Sequence, residues 1–149
     1  MKWIDIPPIW LAAFLALAWA QARYADLGLS LSGAFTQFLA GVLIGGGVLL
    51  MALALWEFRR HQTTVIPHLT PARIIQSGIF SRTRNPIYLG DALVLAGAVL
   101  WLDAVLSLIL VPVFVWVIER RFIIPEENRM RRTFRADYAR YEQKVRRWV

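Results

Sequence analysis

The chain has 149 residues, 58% of them apolar and 18% charged, with a mean hydropathy of +0.49 and a net charge of +7. That hydrophobicity excludes a disordered chain, and the lack of cysteine excludes a disulfide scaffold and thiolate chemistry. Basic residues that share the chain with long apolar runs point away from nucleic acid and toward a small integral membrane protein.

The first run, Pro7 to Ala22, is uncharged and carries Trp10 and Trp19, with Trp3 just ahead of it. A helix over 7–24 just spans a hydrocarbon core of about 30 Å. A removable signal peptide fits poorly, because the start is weakly basic and Pro7-Pro8 comes early. The second run, expected as a span over 35–58, has Glu57 as its one charge. Gly41 and Gly45 within it have the small-xxx-small spacing of close helix packing.

Residues 59–85 read as a cytoplasmic loop, punctuated by Thr63-Thr64, Pro67, Pro71 and Gly78. His61 and His68 lie in it seven apart without further ligands, so ordinary interfacial histidines are expected and no metal site. From Ile87 to Ile118 run 32 residues with Asp91 and Asp103 the only charges, about 48 Å as one helix and too long for a single span. A tight helical hairpin is expected instead, with spans over 86–101 and 104–124 and a turn near Leu102-Asp103. Asp91, an ionisable residue one turn inside the third helix, is a candidate functional group, a partner for a nearby arginine or a carboxylate hydrated at the interface.

The last element, 126–148, places Met130, Phe134, Tyr138, Tyr141, Val145 and Trp148 on one helix face, with arginines around them. Such a helix lies at an anionic membrane surface with its stripe in lipid or on protein. The expected fold is thus an all-α integral membrane protein of four transmembrane helices plus a C-terminal amphipathic interfacial helix. With four spans, 16 of the 17 basic residues fall on one side, so the positive-inside rule puts both termini in the cytoplasm.

Two places carry chemistry. Asn85 followed by Pro86 reads as an N-cap with proline at N1, and the free amides of that first turn suit a carboxylate. About 40 residues on, Glu126 and Glu127 follow Pro125, and an antiparallel hairpin brings them opposite Arg84–Tyr88. An anion site facing carboxylates suits a zwitterion such as an amino acid head group.

The pair Arg-Asn-Pro-Ile-Tyr-Leu-Gly (84–90) and Glu-Glu (126–127), followed by Phe134, Tyr138, Tyr141 and Arg147-Trp148, resembles the isoprenylcysteine carboxyl methyltransferase family and the related membrane phospholipid methyltransferases. The resemblance covers roughly residues 57–149. It implies a membrane methyltransferase using S-adenosylmethionine, with S-adenosylhomocysteine as product, and a cofactor pocket covered by the C-terminal segment. By this resemblance Gly78, Arg84, Asn85, Tyr88, Leu89, Gly90, Glu126 and Glu127 hold the cofactor. Asn85 stands where many members have His, and its amide cannot titrate near neutrality. Arg135 replaces the glycine usual after Phe134.

The methyl acceptor is expected to be lipophilic, a carboxylate, amine or thiol that enters from the bilayer. An ammonium needs deprotonation, for which Glu127 or Tyr138 are candidates. Arg132 is the candidate to orient an anionic acceptor. Arginine outnumbers lysine 15 to 2, which points to a GC-rich bacterial genome, and the expected location is the bacterial inner membrane. The competing reading is a non-catalytic membrane module whose basic tail binds anionic lipid or a partner protein.

Overall fold

The computed structural model describes residues 6–25, 28–63 and 72–149. Trp3, Thr64, Pro67, His68 and Pro71 lie outside them. The described chain is all-α: α1 Pro7–Tyr24, α2 Ala34–Arg60, a 3-10 turn Gly78–Ser81, α3 Pro86–Trp101, a 3-10 segment Val105–Ile109, α4 Leu110–Ile118, a π turn Glu119–Ile123 and α5 Ile124–Lys144.

α2 and α3 form the most extensive helix pair, and small residues make it. On α2 the buried positions are Ala40, Gly47 and Ala54, seven apart, with Glu57 one turn beyond. On α3, Gly90 and Gly97 meet them: a Cβ on Gly90 would lie 2.7 Å from the Gly47 carbonyl oxygen, and one on Gly97 would lie 2.8 Å from that of Ala40. Backbones approach this closely only where side chains are absent. Gly41 and Gly45, expected to serve such packing, face open space.

The other face of α3 packs on α1 and α4. Tyr88, Leu95 and Val99 join Phe14, Ala18, Phe114 and Ile118 in one buried cluster, with Phe14 edge-on to Phe114 at 5.2 Å between ring centroids. The chain reverses at Leu102–Asp103, where Asp103 adopts φ 52° and its carboxylate accepts hydrogen bonds from the Ser30 hydroxyl and the Leu31 amide.

The structure overturns the expectation of four transmembrane helices. Among the described residues, α2 alone is long and apolar enough to cross a membrane. The α1 run is diluted by Pro7, Pro8, Gln21 and Arg23 within its 18 residues. α3 has 16 residues, about 24 Å, short of a hydrocarbon core. The 104–124 segment is divided into a 3-10 piece, a nine-residue α4 and a π turn that already carries Glu119, Arg120 and Arg121. The inside–outside count of basic residues rested on four spans and falls with them. α2 itself is not a core helix: only 17% of its apolar window is buried, and Phe35, Phe38, Leu49 and Trp56 point outward. An apolar surface of that kind is consistent with membrane association.

Of the two placements expected for the tail's apolar stripe, in lipid or on protein, the structure shows the second. α5 begins at Ile124, continuous with the π turn, and breaks at Arg135, which has φ 43° and ψ −113°. The kink turns the apolar stripe onto the protein: Tyr138, Tyr141 and Val145 are buried together, against Ile74, Met130 and Phe134. Arg135 thus occupies, with a side chain, a backbone conformation that glycine adopts at little cost. Arg135→Gly is expected to raise the melting temperature of the detergent-solubilised protein, by about 1 kcal/mol of relieved strain net of the added unfolded-state freedom. A lower melting temperature would mean that the Arg135 side chain holds the kink by contacts of its own.

Candidate functional site

The site forms where four segments converge: the 3-10 turn and Thr83–Tyr88 at the start of α3, the π turn, the first turns of α5, and the segment after Lys144. Pro86 at N1 starts α3, and Asn85 occupies the N-cap position. Its side chain makes no cap. The Asn85 amide donates instead to the Arg147 carbonyl oxygen at 3.1 Å, beside the Thr83 hydroxyl to the same oxygen at 3.3 Å and the Arg84 N–H to the Arg146 carbonyl oxygen at 3.1 Å. These bonds fix the C-terminal segment over the start of α3.

At the centre is Glu127, 3% exposed. Its carboxylate accepts two hydrogen bonds from Arg147, Nε to Oε1 at 3.0 Å and Nη2 to Oε2 at 2.7 Å, the paired geometry that suits a guanidinium and a carboxylate. Arg84 Nη2 lies 3.1 Å from Oε1, and Arg131 Nη2 reaches Oε2 at 3.4 Å. The network extends both ways. Arg147 Nη1 bonds Glu119 at 2.8 Å, which also accepts the Trp148 indole N–H at 3.0 Å. Arg84 Nη1 bonds Glu142 Oε1 at 2.5 Å, and Arg131 donates to both oxygens of Glu142 at 2.7 and 2.9 Å. Burial alone would raise the Glu142 pKa, but the hydrogen bonds from Arg131 and Arg84 outweigh it and hold the carboxyl below its ordinary value.

Beside this network, the Tyr88 hydroxyl donates to Glu126 at 2.9 Å, and its ring lies 6.5 Å from that of Phe122. Burial first, and then Glu126 and Asp91, push the Tyr88 phenol well above its usual range, so it acts as a donor. Tyr138 is buried, and desolvation followed by Glu127 takes its pKa to about 12. Tyr141 donates to the Phe80 carbonyl oxygen at 2.6 Å. Among the described residues, two buried side-chain polar atoms remain without a partner: the donor Arg84 Nε and the acceptor Asp91 Oδ2.

The structure therefore gathers Arg84, Asn85, Tyr88, Glu126, Glu127 and Tyr138. It places Gly90, Gly78 and Arg132 elsewhere. Gly90 backs onto Gly47 on the α2 side of α3. Leu89 is half-buried on the same first turns. Gly78, at φ 55°, sits on the Glu57 carboxylate, which accepts the Ser77 hydroxyl at 2.5 Å while His61 Nε2 lies 2.8 Å from that hydroxyl. Arg132 is exposed and donates to the Asn128 carbonyl oxygen of its own helix. Glu119, Arg131 and Glu142 were not singled out from the sequence. Arg131 stands four residues after Glu127 and was legible as a helical ion pair, whereas Glu142 reaches the site only because α5 bends at Arg135. Among the described residues no cluster of three or more His, Asp or Glu is placed to hold a metal ion.

Residues 35–137 match the phospholipid methyltransferase family. An uncharacterized protein of Haemophilus influenzae is 40% identical over 63 residues, which is 42% of this chain and the whole of that protein. No solved structure matches. The matched region contains both Arg84–Tyr88 and Glu126–Glu127, and by its extent the chain belongs to the phospholipid methyltransferase family.

Proposed function

We propose that this chain is an S-adenosylmethionine-dependent methyltransferase acting on a lipophilic acceptor at the cytoplasmic face of a bacterial inner membrane. The observation that carries the reading is that the family match spans two segments, Arg84–Tyr88 and Glu126–Glu127, which fold to one point. Arg59 and Arg60 close the apolar α2, and two basic residues at that end, beside the site, support a cytoplasmic placement.

The two unsatisfied buried atoms fit a ligand that offers both an acceptor and a cation. Arg84, with Nε to spare, would take the carboxylate of the amino acid moiety. Glu126, held in place by the Tyr88 hydroxyl at the edge of the Glu127 network, is the carboxylate for the ammonium. When bound, the cofactor supplies a methyl group already activated on a sulfonium. The protein's part is to hold acceptor and methyl in line and to exclude water. Tyr138 holds its proton near neutrality and suits a donor's part. The best acceptor is therefore one that arrives as a nucleophile, a carboxylate or thiolate on a lipophilic body. The competing reading, a tail that binds anionic lipid, is less well served, because the tail's apolar stripe faces the protein.

Titration calorimetry of the full chain in detergent with S-adenosylhomocysteine tests this. Saturable binding is expected, weakened about tenfold or more by Glu126→Gln, which removes one charge-assisted contact. A folded protein that shows no binding would overturn the reading.

A further inference from the structure

Among the described residues two buried carboxylates lie outside the ion network: Glu57, which accepts the Ser77 hydroxyl, and Asp91. Asp91 is 4% exposed, lies one turn along α3 from Tyr88, and shares the helix side that carries Tyr88 and Leu95 into the α1–α4 core. Its Oδ2 has no hydrogen-bond partner. Glu119, Glu127 and Glu142 are each matched by arginine, while the hydroxyl of Tyr88, one turn from Asp91, is given to Glu126. One turn along the same helix side as Tyr88, Asp91 sits next to the residue whose hydroxyl holds Glu126 in the site.

A buried carboxylate with an oxygen left unpaired is costly to keep, and an apolar residue of similar size would avoid that cost. Burial takes its pKa to about 6, which leaves it charged at neutral pH. What the position lacks is a positive charge. A sulfonium fits it well: it has charge to offer but no N–H, so it asks for a counter-charge in a dry setting and for no hydrogen-bond geometry.

We propose that Asp91 is the counter-charge for the sulfonium, and that it lets the site tell the charged methyl donor from its neutral thioether product. This rests on the proposed methyltransferase function and deepens it. Loss of the methyl group removes the positive charge from sulfur, and the hold of Asp91 goes with it, so release of product is built into the site. Glu126 holds the ammonium that both molecules keep, and so does not discriminate.

The test is titration of the full chain in detergent with S-adenosylmethionine and, separately, S-adenosylhomocysteine, for the wild type, Asp91→Asn and Asp91→Leu. The wild type is expected to prefer the donor by about tenfold or more, and both variants to bring the ratio to within about twofold with product affinity kept. An unchanged ratio would overturn the inference. So would equal losses for both ligands, which would assign Asp91 to a group they share. Binding of neither ligand to folded wild type would instead remove the methyltransferase reading, and this inference with it. A melting curve of the ligand-free protein guards against a merely structural effect: Asp91→Leu should melt at or above the wild type, and a clear drop would count against the proposal.

Discussion

Glu127→Gln is expected to cost the ligand-free protein about 3 kcal/mol, the loss typical of breaking a buried ion pair from one side. For a chain of this length that corresponds to a fall in melting temperature on the order of 6–12 °C. The carboxylate is 3% exposed and is the shared acceptor of Arg84, Arg131 and Arg147. Glutamine keeps the shape but offers one carbonyl oxygen, and it turns an N–H toward guanidiniums that have nothing to accept it. Arg84, whose side chain is only 10% exposed, is left with Glu142 alone. The effect should be unequal around the network. Arg131→Met, at a side chain 44% exposed, should cost well under half as much, and Arg132→Ala should lie within about 0.5 kcal/mol of wild type. If Glu127→Gln proved as mild as Arg132→Ala, the C-terminal segment would have to be held by its backbone bonds to Thr83–Asn85 and not by charge.

The sequence placed Arg84 opposite Glu126 and Glu127 because a turn near Leu102-Asp103 makes the two segments neighbours, and local patterning can carry that much. It could not show that Glu127 is already satisfied, since Arg147 reaches it from twenty residues on through a kink no periodicity announces. The stripe of Met130, Phe134, Tyr138 and Tyr141 was legible as a face, but the face turned to the protein because Arg135 breaks the helix in its middle. Hydropathy over-counted the spans for a related reason. It sums apolar residues along the chain, while crossing a bilayer demands an unbroken helix, and 104–124 spends its length on a 3-10 piece and a π turn. Gly41 and Gly45 misled in the same manner. Their spacing is right, but seven-residue steps through Ala40, Gly47 and Ala54 select the neighbouring face.

Gly78→Ala is the second large loss expected, about 2–3 kcal/mol in the ligand-free protein. The position has φ 55°, which costs a side-chain-bearing residue about 1–2 kcal/mol. The added Cβ would lie 2.5 Å from Glu57 Oε1 and 2.7 Å from its Cδ. Glu57 is 6% exposed, and its carboxylate is held by Ser77 at 2.5 Å and approached by His61 at 3.3 Å, so it has little room to yield. The two contributions separate in a double-mutant cycle. In a Glu57→Ala background the clash is gone and the backbone cost alone remains, so Gly78→Ala should be milder there by about 1 kcal/mol or more. Strict additivity would mean that the carboxylate swings aside and that Gly78 is chosen for its backbone alone. Either way the loss belongs to the protein without ligand, because Gly78 seats the loop on the end of α2 and so sets where Arg84 enters the site.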